Sequence, residues 1–582
     1  MMIMKIIKTI IPLVLLILLG ISCKKDALDI PPPDQFGEEA VWSDPKLIEA
    51  YHNELYSSMI HGHQINSMYS KFTDEAYNSL ACCGGDLFKL NTYNQDNVGQ
   101  LGATVGDFWA VANGYLYNWS FGYRYVRKIN VFLDKMKTTT VDLPNKARMI
   151  AEAKFLRAFI YFNFIERYGG VPIVDQVYNL SDEVAFKRNT FDECVAFIAK
   201  DIAEATPDLP ARYASTNANY GRATGDAGKA LLSRTYLYAA SPLFSPTPSA
   251  QKWQKAADAA AALFNSGYTL YPDYQKLFET KQGDPQDEII FSKGFSASNF
   301  HQNANHQMDR RFEGYGGWWG GGGPSGNLID DYEMTNGEPP FLPDGTMNPL
   351  SGYDPQNPWA NRDPRLDATV IHEGSVFNPG ATPGAPPVFE KWVAENGATW
   401  GYDSYKKTGD NPRTNTVLKK FMPSQGPIGW ATPRLEQWPY FRLAEIYLNY
   451  AEAKFELGDE NTAREYLNKV RKRASVNLPD IPATVTGAAL RRRIYNERRI
   501  ELAFEAHRFF DVRRWGIATT TENAKIYTYD VFKNTTTGAL RYEKVVLLDK
   551  TGTFQAYKSL LPIEQNELRR NPELKQTPGW PQ

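Results

Sequence analysis

The stretch FRLAEIYLNYAEAKFELGDENTAREYLNKVRKRA, residues 441–474, decides the fold. Leu443, Tyr447, Ala451 and Phe455 recur at helical spacing and make one apolar stripe; Gly458 ends that helix and Asp459 can cap the next. Ala463, Tyr466, Leu467 and Val470 then make the facing stripe. Two such helices joined by Gly-Asp, with alanines where they touch, look like a tetratricopeptide repeat. The period is not sustained cleanly along the chain, so the repeats are divergent and interrupted.

Working outward, SDPKLIEAYHNELYSSMI (43–60) offers Asp44 as a cap, Pro45 at the first helical position, and Ile48, Tyr51, Leu55 and Met59 on one face. KARMIAEAKFLRAFIYFNFIERYGGVP (146–172) places Ala153, Leu156, Ile160 and Phe164 at helical spacing and stops at Gly169, Gly170 and Pro172. RATGDAGKALLSRTYLYAAS (222–241) and QKWQKAADAAAALFNSGYTLYPD (251–273) read as a further pair, and Trp119, Tyr123 and Arg127, four apart, mark a packed helix face.

Residues 275–435 change character. RRFEGYGGWWGGGGPSGNLIDDYEMTNGEPPFLPDGTMNPLSGYDPQNPWANRDPRLD (310–367) is too rich in Gly and Pro for regular elements, yet too aromatic for disorder. Long ordered loops of this kind usually carry function. The chain holds 13 Trp, 33 Tyr and 31 Phe, many between glycines and asparagines rather than on helical stripes, which points them toward a partner instead of a core.

At the N-terminus, Lys5 and Lys8 precede an apolar run from Ile10 to Leu19 that is too short to span a bilayer comfortably, the form of a secretory leader. Gly20 and Ser22 lie just before Cys23, and this order resembles a lipoprotein signal whose cysteine is acylated, although Gly20 stands where Leu is usual. Ordinary cleavage near Ser22 is the alternative. Three prolines in KKDALDIPPPDQFGEE suit an extended tether, and no second long apolar run follows.

A net charge of −2 gives no footprint for nucleic acid. Cys82 beside Cys83 and a lone Cys194 make no disulfide framework; Cys194 belongs on a packed helical face. His301 and His306 in HQNANH have no metal-site spacing and read as a polar loop, so no metal and no cofactor is expected. Glu497, Glu501, Glu505 and His507 crowd ERRIELAFEAHRFFDVRRWG, but Arg498 with Glu501 and Glu505 with Arg508 have the spacing of ion pairs within one helix. That makes the run structural and sets hydrolysis by paired carboxylates aside. GYGGWWGGGGPSG lacks the Lys-Ser/Thr ending of a phosphate loop.

AEAKFLRAFIYFNFIERYGGVPIV, GRATGDAGKALLSRTYLYAAS, FRLAEIYLNYAEAKFELGD, IYNERRIELAFEAHRFFDVRRWG and SLLPIEQNELRRNPELKQTPGW resemble, in order, the recurring segments of the SusD/RagB family. The resemblance implies a mainly α fold, four tetratricopeptide-like helix pairs forming a superhelical body with long irregular loops on the ligand-facing side. It also implies a non-enzymatic lipoprotein, anchored in the outer membrane through Cys23 and facing outward, that binds oligosaccharide and delivers it to a SusC-like TonB-dependent transporter. Peptide or other nutrient capture and, from another class, a helical glycoside hydrolase are the alternatives. The expected organisation is a signal peptide (1–22), an acylated tether (23–40), an N-terminal helical region (41–275), a loop-rich ligand-facing region (276–435) and a C-terminal region (436–582). Flat indoles between glycines suit sugar rings, so Tyr315, Trp318 and Trp319 are the first candidate platform. A rough alignment with the family adds Asp74, Tyr93 and Asn94 as a second edge.

Overall fold

Residues 441–474 form two helices joined as read. A computed structural model describes residues 38–63, 69–77, 85–101, 116–179, 182, 185–301, 311, 322–379, 384–409, 411–426, 428 and 432–581. The helices that build its body are α1 (Pro45–Leu55), α2 (Trp119–Thr138), α3 (Lys146–Tyr168), α4 (Phe191–Ala205), α5 (Gly225–Ala240), α6 (Ala250–Ala261), α7 (Leu443–Glu456), α8 (Glu460–Arg471), α9 (Gly487–Glu501) and α10 (Arg508–Arg514). They are started and stopped by the local chemistry. Asp44 Oδ1 accepts from the amides of Lys46 (2.7 Å) and Leu47 (3.3 Å), and Asp459 accepts from the Thr462 amide (3.1 Å). Between α7 and α8 the backbone turns through Gly458 at φ +84°, a region that costs a glycine nothing.

Helices α2 and α3, α3 and α4, α5 and α6, and α7 and α8 pack as neighbours, and α7 also touches α6 and α9. The result is a mainly α body of tetratricopeptide-like pairs. Ala451, Phe455, Ala463, Leu467 and Val470 are all buried where α7 meets α8. Cys194 is fully buried on α4, its thiol donating to the Val171 carbonyl (3.4 Å) and pushed up to about 11 by burial.

Short strands sew the middle onto this body. Among them are β1 (Ala76–Tyr77), β2 (Ile289–Lys293), β3 (Gly323–Pro324), β4 (Trp438–Arg442), β5 (Ile526–Lys533) and β6 (Leu540–Leu548). β2 pairs antiparallel with β4, which runs directly into α7. β1 pairs with β3, and β5 with β6 as a long hairpin.

Three expectations are corrected here. Aromatics of the Gly- and Pro-rich middle do not simply face outward: Tyr332, Tyr353, Phe377, Phe389 and Phe421 are buried, and apart from Tyr353 they join the same apolar cluster as Ile48, Leu156 and Trp580. With little helical periodicity available, rings supply the bulk that a core at close packing requires. His301 is likewise buried, stacked on His63 (4.1 Å) against Phe295, rather than on a polar loop. Finally, the charges of residues 497–508 pair across the fold rather than along one helix. Arg498 binds Asp511 (2.8 Å), Glu501 binds Arg442 and Arg473 (both 2.7 Å), Glu505 binds Lys420 (2.7 Å), and Arg508 binds Asp74 (2.9 Å). The structural reading of the run stands, with other partners.

Leu467→Asp places a charge inside the apolar α7–α8 seam. The variant should lose about 4 kcal/mol or more, or fail to accumulate as soluble protein, in a chemical denaturation series against the parent.

Candidate functional site

Cys23, Cys82, Cys83, His306 and the platform candidates Tyr315, Trp318 and Trp319 lie outside the described residues. The residues on either side of the Gly-rich stretch are described and firmly held. Before it, Arg311 donates to both carboxylate oxygens of Asp403 (2.8 and 2.7 Å), its guanidinium 4.1 Å from the Phe389 ring. After it, Gly323 and Pro324 form β3, paired with β1 in the register Tyr77↔Gly323 and Ala76↔Pro324. A Cβ on Gly323 would stand 1.9 Å from Thr414 Oγ1 and 2.7 Å from the Thr416 carbonyl, so only glycine fits. This two-residue ladder joins the chain just after the Gly-rich stretch to the segment that carries Asp74, two residues before β1. The Ser325 amide also donates to the Glu75 carbonyl (2.9 Å).

Asp74 and Tyr93, expected to offer a hydroxyl contact and a stacking face, are both buried and held by other parts of the chain. Asp74 is 4% exposed, gripped by Arg508 through two 2.9 Å hydrogen bonds and by Arg499 at 3.0 Å. Burial alone would raise its pKa, but the two guanidiniums hold the carboxyl well below the usual carboxylate range. Neighbouring Glu75, 2% exposed, is pushed up to about 7 by burial. Tyr93 is 1% exposed; its hydroxyl donates to the Lys558 carbonyl (2.9 Å) and its ring stacks on Phe88 (4.4 Å), which meets Phe72 (5.0 Å). Asn94 is exposed, and its Oδ1 accepts from the amides of Asp96 (2.9 Å) and Asn97 (3.2 Å), closing a turn. Trp119 and Tyr123 pack as expected, whereas Arg127 is exposed and donates to the Tyr178 carbonyl (2.6 Å).

Sequence reasoning missed Arg499 and Arg508 as the holders of Asp74. They stand 425 and 434 residues away, so no local spacing could have signalled them. The hairpin β5–β6 was also passed over. Alternating Tyr527, Tyr529 and Val531 before the turn Asn534–Gly538 were its readable signal.

Residues 265–580 match the family model described as the SusD family, and residues 32–237 match one described as starch-binding associating with outer membrane. A SusD-like protein of Bacteroides ovatus is 24% identical over 416 residues, 68% of this chain and 65% of that relative. The starch-binding protein SusD of Bacteroides thetaiotaomicron is 24% identical over 467 residues, 78% of this chain and 76% of its own length. The crystal structure of a SusD-like protein from Bacteroides fragilis superposes with a TM-score of 0.72 at 27% identity, covering 95% of this chain and all of that one.

If Asp74 is a buried clamp and not a surface group, Asp74→Asn should cost about 3 kcal/mol by denaturant titration, because Arg508 then loses its carboxylate in a buried setting. A variant as stable as the parent would return Asp74 to the surface.

Proposed function

The chain belongs to the SusD family, and from that membership we propose that it is a cell-surface lipoprotein that captures oligosaccharides and hands them to a SusC-like TonB-dependent transporter of the outer membrane. The observation that carries the reading is the paired match: two models of one kind of carbohydrate-associated protein cover the two halves of the chain in order.

The chemistry of the edge supports capture rather than cleavage. Hydrolysis needs two carboxylates flanking a scissile bond, one of them protonated. Here Asp74 is clamped between arginines and Glu75 is shut away from solvent. Binding then falls to ring faces, with Tyr315, Trp318 and Trp319 the candidate platform on a stretch whose flanks are fixed by Arg311 and Gly323. Flat indoles cover the C–H faces of a sugar, and exposed amides such as Asn94 orient its hydroxyls. Acylation of Cys23 followed by the proline-bearing tether would hold this body at the membrane while letting it reach a transporter.

Calorimetry against a panel of plant, host and microbial oligosaccharides tests the reading. Trp318→Ala or Trp319→Ala should lower affinity for the bound glycan ten- to a hundredfold, about 1–3 kcal/mol for one stacked ring. Raising salt to physiological strength should leave a neutral glycan's affinity nearly unchanged. Parent-like binding by both variants would move the platform elsewhere. Separately, Cys23→Ala should leave the body folded but release it from the membrane fraction. A variant that still pellets in cells lacking the transporter would overturn the anchor.

A further inference from the structure

A large cavity is bordered by described residues throughout. It is an open cleft of about 670 Å³ between α9, the loop 338–350 and the hairpin β5–β6. That volume is in the range of small-molecule sites. Three rings line it, each held by a neighbour. Tyr495 is stacked on Trp515 (3.8 Å, 11°), Phe341 packs edge-on against Tyr353 (5.2 Å), and the Tyr527 hydroxyl donates to Asp330 Oδ2 (2.6 Å). Rings already immobilised lose little freedom when a ligand settles on them.

The polar groups between the rings are matched in charge. Lys544 binds Asp330 (2.8 Å) and lies 3.6 Å from the Tyr527 ring centroid; Arg499 pairs with Asp331; Arg493 meets Glu338 at 3.7 Å. Asp331, Glu338 and Lys544 each keep more than a third of their side chain in water, so they have hydrogen-bonding capacity to offer. Arg492, exposed on α9, has no ion-pair partner among the described residues. The rim carries exposed apolar side chains, Leu342 and Leu350, the latter 72% exposed. An anion site would concentrate uncompensated cations. Here all but one of the basic groups are already neutralised, which suits hydroxyls that both donate and accept.

We propose that this cleft is a second carbohydrate site, taking a short segment of a neutral oligosaccharide by ring stacking on Phe341 and Tyr495 and by hydroxyl contacts to Asp331, Glu338, Lys544 and Arg492. The inference rests on the glycan-binding reading above. Its occupant would be an end of the captured chain or a separate chain, the chemistry being the same.

The test uses the whole mature chain with maltohexaose, laminarihexaose, cellohexaose, xylohexaose and an oligogalacturonate. Hydrogen exchange of residues 338–350 and 487–499 is followed beside calorimetry. At least one neutral hexaose should protect both segments in the parent and still do so in the Trp318→Ala/Trp319→Ala double variant. Phe341→Ala or Arg492→Ala should weaken that response about tenfold, with Arg492→Ala too exposed to alter folding. Glycan binding that leaves these segments unprotected, or that vanishes with the double variant alone, overturns the second site while the capture function stands. Protection by the oligogalacturonate alone overturns the neutral assignment. Absence of binding by every sugar overturns both readings.

Discussion

Charge taken out of water is the constraint on which this structure depends. Arg365, Lys420, Arg442, Arg471 and Arg473, with half-buried Arg493 at the edge, are joined through continuous ion pairs to the buried carboxylates of Glu288, Glu333, Asp363, Glu497, Glu501 and Glu505. Six cations meet six anions. Moving such groups from water costs several kcal/mol each, and mutual attraction offsets this only when every member is in place. Burial pushes Lys420 down to about 8, whereas Glu501, which burial would raise, is held well below the carboxylate range by Arg473, Arg442 and Arg365. The network is a demand for complete assembly more than a source of net stability.

Its members come from separate pieces of chain: Glu288 precedes β2, Arg442 ends β4, Arg471 closes α8, Asp363 and Arg365 sit in the loop-rich middle, and Glu497 and Glu501 lie on α9. Helix pairs with apolar seams are thereby tied to a middle that has little regular structure. Helix α9 shows the division of labour. Arg493, Glu497 and Glu501, spaced by four, turn one stripe inward to the network, while Arg492, Tyr495, Asn496 and Arg499 border the cleft. Arg499 then carries the constraint on to Asp74 and the β1–β3 edge. A loop face can be irregular and still fixed in position because charges beneath it allow few alternative registers.

Legibility in the sequence followed the range of the interactions. Helices α1, α3, α5, α7 and α8 were readable because their signals are local: Asp44 before Pro45, Gly169 after Tyr168, Gly458–Asp459 between two stripes. Cys194 was readable because a thiol on an apolar helical face has one usual fate. Partners of Glu501 and Asp74 were not, since Arg–Glu spacing of three is satisfied on paper within one helix and the true partners lie up to hundreds of residues away. Burial of Tyr93 was hidden for a related reason. Asn and Gly around a ring signal a turn, but whether the ring points into or away from the body depends on what else arrives there, here Phe88 and the Lys558 carbonyl.

Pairing of charges also narrows how such a body can recognise a ligand. Carboxylates locked in pairs with guanidinium or ammonium groups project little net field, so the surface is nearly neutral in effect although rich in charged residues. What remains available is ring area and hydrogen-bonding capacity in fixed directions. Those are complementary to a neutral pyranose, which offers apolar faces and a belt of hydroxyls. On this argument selectivity resides in where rings and planar polar groups are placed. Placement is what a buried, fully paired charge network enforces, so the interior electrostatics and the proposed neutral-glycan capture would be two consequences of one arrangement.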